Sequence, residues 1–490
     1  MKTKLFISTL FICLSAQMLF GQQSTQVISK QQLDTILLNN TRIEPEWVTA
    51  FPSHYSNNGF IKVGNQQNIY LLNKGNITKH DTKGNILWQT KTMVLEYNES
   101  QSHYYIQNII LDNQGNLFVL ANMPSNGGIV KIYSADSTFI NYTITAKLFA
   151  LIKYDSNGIM QKTYWYSVVG NSANFGEISI DKNGNFYLAG TYTKSERTSI
   201  NTNSIGDSDA YPDNKEYPGI GYCLMKINNN MEKEWIQLGE LNGEYHVGNL
   251  TTDNNGNLFI TGKIKGTVKI GENYFSSTDH FYRRNLIVIK FDNKGNLLWA
   301  NDFSRKEFGE TYIEKIAADT KGNLYFAVNM HNGNTSSLSK ITPGGKVEWE
   351  ITVNSKSKNK YSDYNQHYSY FFENIVIDEN DNVYFAGQGY QNFFSFPNKK
   401  TYQIDANFFI GSFNSKGELQ FLKAAAGEGG KAQCRSIAIH KNNLFVLARY
   451  QEKTQFKAIT LENKSKNEPD GLDQYSAWLA KYDLKKIYEK

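Results

Sequence analysis

Short apolar runs separated by polar corners fill almost the whole chain. The stretch LTTDNNGNLFITG (250–262) shows the unit: an apolar run, an Asp-x-x-Gly-Asn corner, and a second apolar run. Gly and Asn tolerate positive φ at little cost, so such a corner joins two antiparallel strands tightly. The half-motif recurs as IKVGNQQNIYLL (61–72), IILDNQGNLFVLA (109–121), ISIDKNGNFYLAG (178–190), IAADTKGNLYFAV (316–328), IVIDENDNVYFAG (375–387) and IAIHKNNLFVLA (437–448), which makes seven copies.

A second half-motif alternates with the first: an apolar-Lys-apolar-Asp run, a corner, and a strand carrying Trp. ITKHDTKGNILW (77–88), VIKFDNKGNLLW (288–299) and LSKITPGGKVEW (338–349) show it in full. LIKYDSNG with Trp165, LMKINNN with Trp235, IGSFNSKGELQF (410–421) and WLAKYD (478–483) are its variants. Each unit predicts four strands, A to D. Repeated four-stranded units in an all-β chain stack as the blades of a β-propeller. The strand-B aromatics Tyr70, Phe118, Tyr187, Phe259, Tyr325, Tyr384 and Phe445 lie 48 to 72 residues apart, so variable loops are grafted on a constant frame.

The seventh unit runs out of chain after WLAKYD. EPEWVTAF (44–51) stands before the first strand A, with Trp47 and Phe51 spaced as Trp299 and Phe303 are. This N-terminal segment is expected to supply strand D of the last blade, which removes the open seam of the ring. In the rival reading the tail Leu484–Lys490 fills that place. Residues 44–490 are thus expected to form a seven-bladed propeller. Residues 22–43 read as a leader to it, with one helical turn around Leu33–Leu38.

With 490 residues, 40% hydrophobic and 20% charged, the composition is globular. Residues 1–21 read as an export signal: Lys2 and Lys4, then the apolar Leu5–Phe20, with cleavage expected near Gly21. The apolar run is short for a membrane span and nothing later approaches one. Ile12 before Cys13 argues against a lipoprotein. A secreted or cell-surface location is therefore expected. The formal charge of +5 includes Lys2 and Lys4, and the remaining Lys are dispersed among Asp and Glu. No nucleic-acid or membrane partner is implied. Cys223 and Cys434 fall in blades three and seven, so two free buried thiols are expected rather than a disulfide.

The alternation of D-x-x-G-N-L-Y/F-x-A/T-G with K-F/Y-D-x-x-G-N-L-L-W resembles the SBBP-type β-propeller repeats of secreted bacterial proteins. The resemblance covers roughly residues 44–483, with 266–303 its best segment. A leader ending in Gly-Gln-Gln is similar to those of Bacteroidota secreted proteins. The resemblance implies fold and export, and no agreed activity or catalytic residues. The D-x-x-G-x-x-x-W pattern also resembles the tryptophan-docked blades of quinoprotein dehydrogenases and of an outer-membrane assembly lipoprotein. Seven blades rather than eight, and no adjacent cysteine pair, set the chain apart from the dehydrogenases.

The short corners place the A–B and C–D links on one face of the ring, so the B–C and D–A links, and with them every long loop, are expected on the opposite face. The long B–C spans are 122–147, 191–220, 263–284, 388–406 and 449–476. A ligand is expected among them, with the corner face plain. The D–A links carry an aromatic cluster: Tyr104, Tyr105, Tyr245, His246, Tyr312, Tyr370 and Phe371 are the candidate ligand residues. They suit stacking on a sugar or gripping a peptide; the competing reading has the rings wedged between blades. Polar residues follow along strand A, among them Asn108, Glu177, Asn249, Lys315 and Asn374. Glu314, Glu373 and Arg435 hold equivalent positions in three consecutive blades, where inter-blade ion pairing is expected. A glycosidase pair would require two carboxylates about 5 to 9.5 Å apart. The corner Asp residues are expected to cap their own turns, and the strand-C Lys residues to reach the corner carboxylates as framework. The acidic loop 206–216 lacks a calcium-loop pattern, the His spacing supports no zinc site, and no phosphate loop or nucleophile motif is present. No metal or cofactor is implied. The sequence favours a binding scaffold for an extracellular protein or glycan over a glycan-active or quinoprotein-like enzyme.

Overall fold

In the computed structural model, residues 1–34, 38–42, 54–58, 74, 98–99, 103–105, 124–127, 145–147, 170–172, 194–198, 203–219, 240–243, 278–284, 305–310, 331–334, 356–371, 396–400, 427–431, 451–452, 457–458, 463–474 and 489–490 lie outside the described part. The described residues form a seven-bladed β-propeller of four-stranded antiparallel blades. Strands A to D are Phe60–Val63, Ile69–Asn73, Asn76–His80 and Ile86–Lys91 in blade one. They are Ile106–Leu111, Leu117–Asn122, Leu148–Tyr154 and Met160–Val169 in blade two. Blade three has Ala173–Ile180, Phe186–Thr193, Ile220–Ile227 and Lys233–Leu238. Blade four has Glu244–Thr252, Leu258–Lys265, Asn285–Phe291 and Leu297–Asp302. Blade five has Thr311–Ala318, Leu324–Met330, Thr335–Ile341 and Val347–Ser355. Blade six has Asn374–Ile377, Val383–Ser395, Thr401–Phe413 and Leu419–Ala426. In blade seven strands A to C are Ala432–His440, Asn443–Tyr450 and Tyr475–Asp483. Each strand A packs beside the next around the ring, blade seven returning to blade one.

The N-terminal strand Trp47–Ser53 pairs antiparallel with Tyr475–Asp483, Trp47 opposite Lys481, and so completes blade seven. The rival reading of the tail fails: Leu484–Tyr488 is one short helix. Of the stretch expected to make a helical turn around Leu33–Leu38, only Thr35–Leu37 lies within the described residues, and it is a strand running parallel to Thr401–Gln403 of blade six.

The corners behave as their composition requires. Asp112 Oδ1 accepts the backbone N–H of Gln114 and Asn116, and its Oδ2 accepts the Asn116 amide. Asp181, Asp253, Asp319 and Asp378 repeat the arrangement. The Gly of the motif takes the left-handed turn, as at Gly115 with φ +81°.

The blades are joined by a second use of the C–D corner. Five of the six strand-D Trp lie on the corner Gly of the following blade and donate the Nε1–H to the carbonyl two residues earlier. Trp47 reaches Thr82 O at 2.9 Å, Trp88 Ser156 O at 3.1 Å, Trp235 Asn293 O at 3.3 Å, Trp299 Pro343 O at 2.9 Å and Trp349 Ser415 O at 3.2 Å. A Cβ at Gly84 would stand 2.8 Å from the Trp47 ring, and one at Gly158 2.8 Å from Trp88. The corner must therefore be Gly both for its φ and for the indole above it. His80 steadies the first of these corners. Burial lowers its pKa, so the neutral ring donates from Nδ1 to Gly84 O at 3.1 Å and accepts from the Thr78 hydroxyl at Nε2.

Two junctions differ. Met231 replaces the corner Gly in blade three, with φ 67°. Trp165, which should dock there, has no partner for its Nε1 among the described residues and packs edge-on against Tyr142 instead. In blade seven the helix Leu484–Tyr488 replaces the corner, and Phe421 of blade six meets the edge of Tyr488.

The strand-C Lys belongs to the same joint. Lys79, Lys290 and Lys340 donate to Ser156 O, Pro343 O and Ser415 O, the carbonyls their own blade's Trp uses. Lys290 also stands 4.7 Å above the Phe259 ring. Corner carboxylates are the lesser partner: Lys290 Nζ is 3.9 Å from Asp253 Oδ2, whereas Lys340 pairs with Glu348 and Lys481 with Glu46.

Gly84 and Gly115 share a positive φ, but only Gly84 carries an indole; nothing lies within 4 Å of a Cβ at Gly115. Gly115→Ala is expected to cost about 1 kcal/mol from the backbone alone, and Gly84→Ala about 2–4 kcal/mol because Trp47 must also move. Equal shifts in denaturant midpoint would remove the docking argument. Lys290→Met should cost about 1–3 kcal/mol by leaving the buried Asp253 without its cation; an unchanged melting temperature would show that the lysine contributes nothing to the joint.

Candidate functional site

Strand A of each blade lines the channel, and it carries a regular irregularity. In five blades a β-bulge sits five residues before the corner position, at Gln107, Gly176, Gly248, Glu314 and Arg435. At Glu373 the N–H donates to Ala386 O, the residue that Asn374 also faces, so blade six repeats it. A bulge adds one residue and re-aims the side chains beyond it.

That shift decides where the aromatic candidates go. Tyr245 is fully buried, edge-on to Tyr222, with its ring filling the space a Cβ at Gly262 would occupy. It belongs to the core between blades three and four, and burial holds its pKa well above the ordinary value. The expectation that its ring meets a ligand is corrected accordingly. His246 lies half-buried opposite Lys263. Tyr312 is placed in strand A of blade five opposite Asn329, but its side chain lies outside the described part, as do Tyr104, Tyr105, Tyr370 and Phe371.

The B–C insertions do not stay on one face. Gly128–Tyr133 and Phe139–Ile144 of blade two form a hairpin that joins Met93–Tyr97 and Ser100–Ser102 in a separate four-stranded sheet. Its buried residues Val130, Ile132 and Ile144 join the core between blades one and two. The turn of this hairpin reaches the C–D corner of its own blade, where Ala135 N donates to Gly158 O at 2.9 Å. The hairpin Thr267–Ile270 and Asn273–Ser276 of blade four likewise buries Val268 and Ile270 beside blade three. The insertions therefore run along the rim and seal the gap in front of their own blade. In blade six the B–C hairpin extends past the blade and pairs with Thr352–Ser355 of blade five.

The clefts among the described residues include two large enough for a ligand. One of about 610 Å³ lies at the rim between Thr49–Phe51, blade one and the tip of the blade-two hairpin, with Gln89, Lys91 and Tyr133 in its wall. The other, about 630 Å³, lies on the corner face between blades six and seven, against Asp378, His440 and Tyr488. The corner face is thus not plain. Among the described residues no group of His, Cys, Asp and Glu is arranged to hold a metal ion. Cys223 and Cys434 are both free and buried.

Of the equivalent residues Glu314, Glu373 and Arg435, Glu373 makes an inter-blade contact: its carboxylate accepts the backbone N–H of Cys434 in blade seven. Charge collects elsewhere in the channel. Lys62 of blade one, Glu177 of blade three and Lys315 of blade five act on one another electrostatically. Burial first, then Lys315, pulls the Lys62 ammonium down to about 8, with Glu177 opposing. Burial raises the Glu177 carboxyl against the two lysines. Sequence reasoning marked Glu177 and Lys315 as polar positions but passed over Lys62; its signal was a lone charge inside the apolar run IKV.

No family model matches the sequence, and no curated protein matches it. Among solved structures the fold is similar to an ulvan lyase of a new polysaccharide lyase family bound to -[GlcA(1-4)Rha3S]-, at 10% identity and TM-score 0.38 over 81% of this chain and 88% of that one. It is also similar to a protein of unknown function from Bacteroides caccae, at 10% identity and TM-score 0.31 over 61% and 78%. A member of the duf4221 family from Bacteroides vulgatus gives 10% identity and TM-score 0.28 over 58% and 91%. Likeness at this level does not bear on activity.

Tyr245→Ala is expected to cost about 3–5 kcal/mol, as for a buried aromatic. Tyr245→Phe should be close to neutral, since the hydroxyl has no partner among the described residues. Thermal melts of both variants check this; a neutral Tyr245→Ala would return the ring to the list of exposed candidates.

Proposed function

We propose that the chain is an exported propeller that serves as a binding scaffold, taking an extracellular protein or glycan on surfaces built by its B–C and D–A connections. One observation carries this reading. The joint between blades repeats at five of the seven junctions, whereas each described B–C connection differs: a hairpin in a separate sheet in blade two, a rim hairpin in blade four, a long two-stranded extension in blade six. A constant frame with individual insertions is the division of labour expected where recognition is grafted on a scaffold. The export signal in residues 1–21 and the repeat resemblance support an extracytoplasmic, SBBP-type protein.

The test is a glycan array and a pull-down from extracellular material with the mature chain, repeated after the blade-six extension, residues 390–404, is replaced by a tight turn. The reading expects a bound glycan or protein whose affinity falls at least about tenfold in the shortened variant or in His246→Ala. Binding that survives both changes but is lost on substitution of His440 or Tyr488 would move the site to the corner face and overturn the reading.

A further inference from the structure

Lys62, Glu177 and Lys315 are not used by the blade framework. They stand on the strands A of blades one, three and five, no two of which are neighbours. Side chains from such blades can act on one another only across the lumen. Each keeps part of its surface open, although Lys62 and Glu177 are enclosed by protein. Both hold because the opening is into the channel. Beside Glu177 there is open space: a Cβ at Gly176 would meet nothing within 4 Å.

None of the three has a hydrogen-bond or ion-pair partner among the described residues; no side-chain pair among them comes within 4.0 Å. The cluster carries two ammonium groups and one carboxylate, a surplus of positive charge only partly open to water. Charges in such a place are costly unless they are met by a partner of opposite sign. Ammonium groups on flexible stems are suited to the oxygens of a compact anion.

We propose that the central channel holds a small-anion site, in which Lys62 and Lys315 grip the oxygens of one dianion of the sulfate or phosphate type and Glu177 weakens the grip. The anion can be free or the charged group of a larger ligand threaded into the channel. This site is separate from the loop surfaces and does not depend on them.

The test uses the mature full-length chain with sodium sulfate, sodium phosphate and, at matched ionic strength, sodium chloride. Sulfate or phosphate is expected to raise the melting temperature and to bind at one equivalent by calorimetry, with chloride doing neither. Lys62→Met and Lys315→Met should each weaken binding about tenfold or more, and Glu177→Gln should tighten it. A low-molecular-weight sulfated sugar as a further arm separates the sources: tighter binding than free sulfate points to a larger ligand, equal binding to the free ion, and either supports the site. Absence of one-equivalent binding, an equal response to chloride, or binding unchanged in the lysine variants would overturn it. Should the lysine variants not fold, Glu177→Gln decides alone, because it keeps both ammonium groups: unchanged or weaker binding overturns the proposal.

Discussion

The ring depends on one contact, an indole laid on a glycine of the next blade. The strand-D Trp supplies a large apolar face and one N–H donor. The C–D corner supplies a left-handed Gly with no side chain and a carbonyl two residues before it. An indole N–H bond contributes about 1 kcal/mol net, and an edge contact with the strand-B aromatic, such as Tyr325 on Trp349 at 5.7 Å, about as much again. Repetition around the ring turns this modest joint into the framework. The corner lysine adds a second donor to the same carbonyl, so one backbone oxygen collects both side chains. This economy explains why Lys, Asp, Gly and Trp recur together.

The frame was legible because its requirements are local. A positive φ calls for Gly, a capped turn calls for Asp and Asn, and both recur at fixed offsets within one unit. Trp47 and Phe51 revealed the closing strand because the last unit lacked a strand D of its own. The docking partner of each Trp was not legible, because it lies in the following unit and no offset within a unit expresses it. Met231 illustrates the limit: in sequence it is one substitution in a corner, but in space it deprives Trp165 of its seat.

The candidate site was less legible for a physical reason. Sidedness along a strand follows from a period of two, and a single extra residue reverses it. The bulge in strand A lies between the corner Asp, from which positions are counted, and the aromatic cluster. Tyr245 therefore enters the core although it was a candidate to meet a ligand. The same irregularity leaves room beside Gly176 and Glu177. The insertions were misplaced for a related reason: their origin on one face is fixed by strand reversal, but their apolar residues, Val268 and Ile270 among them, draw them into the gaps between blades. Hydrophobic burial, not chain direction, decides where a long connection ends.

The N-terminal strand ties events in time as well as in space. Glu46, which accepts Lys486 from 440 residues away, leaves the ribosome near the beginning of synthesis, and the strand it pairs with, Tyr475–Asp483, comes near the end. Closing so long a loop is entropically costly and gains nothing until both ends are present. Until then blade seven lacks its third strand, so its outer strand Trp47–Ser53 has nothing to pair with and Trp47 has no sheet to hold it against Gly84. For the exported chain proposed above, this delay would be an advantage, because the ring cannot lock while its last blade is still unmade. The same delay makes a truncated chain hazardous, since loss of the final strand leaves Trp47–Ser53 as an unpaired edge with exposed aromatic residues.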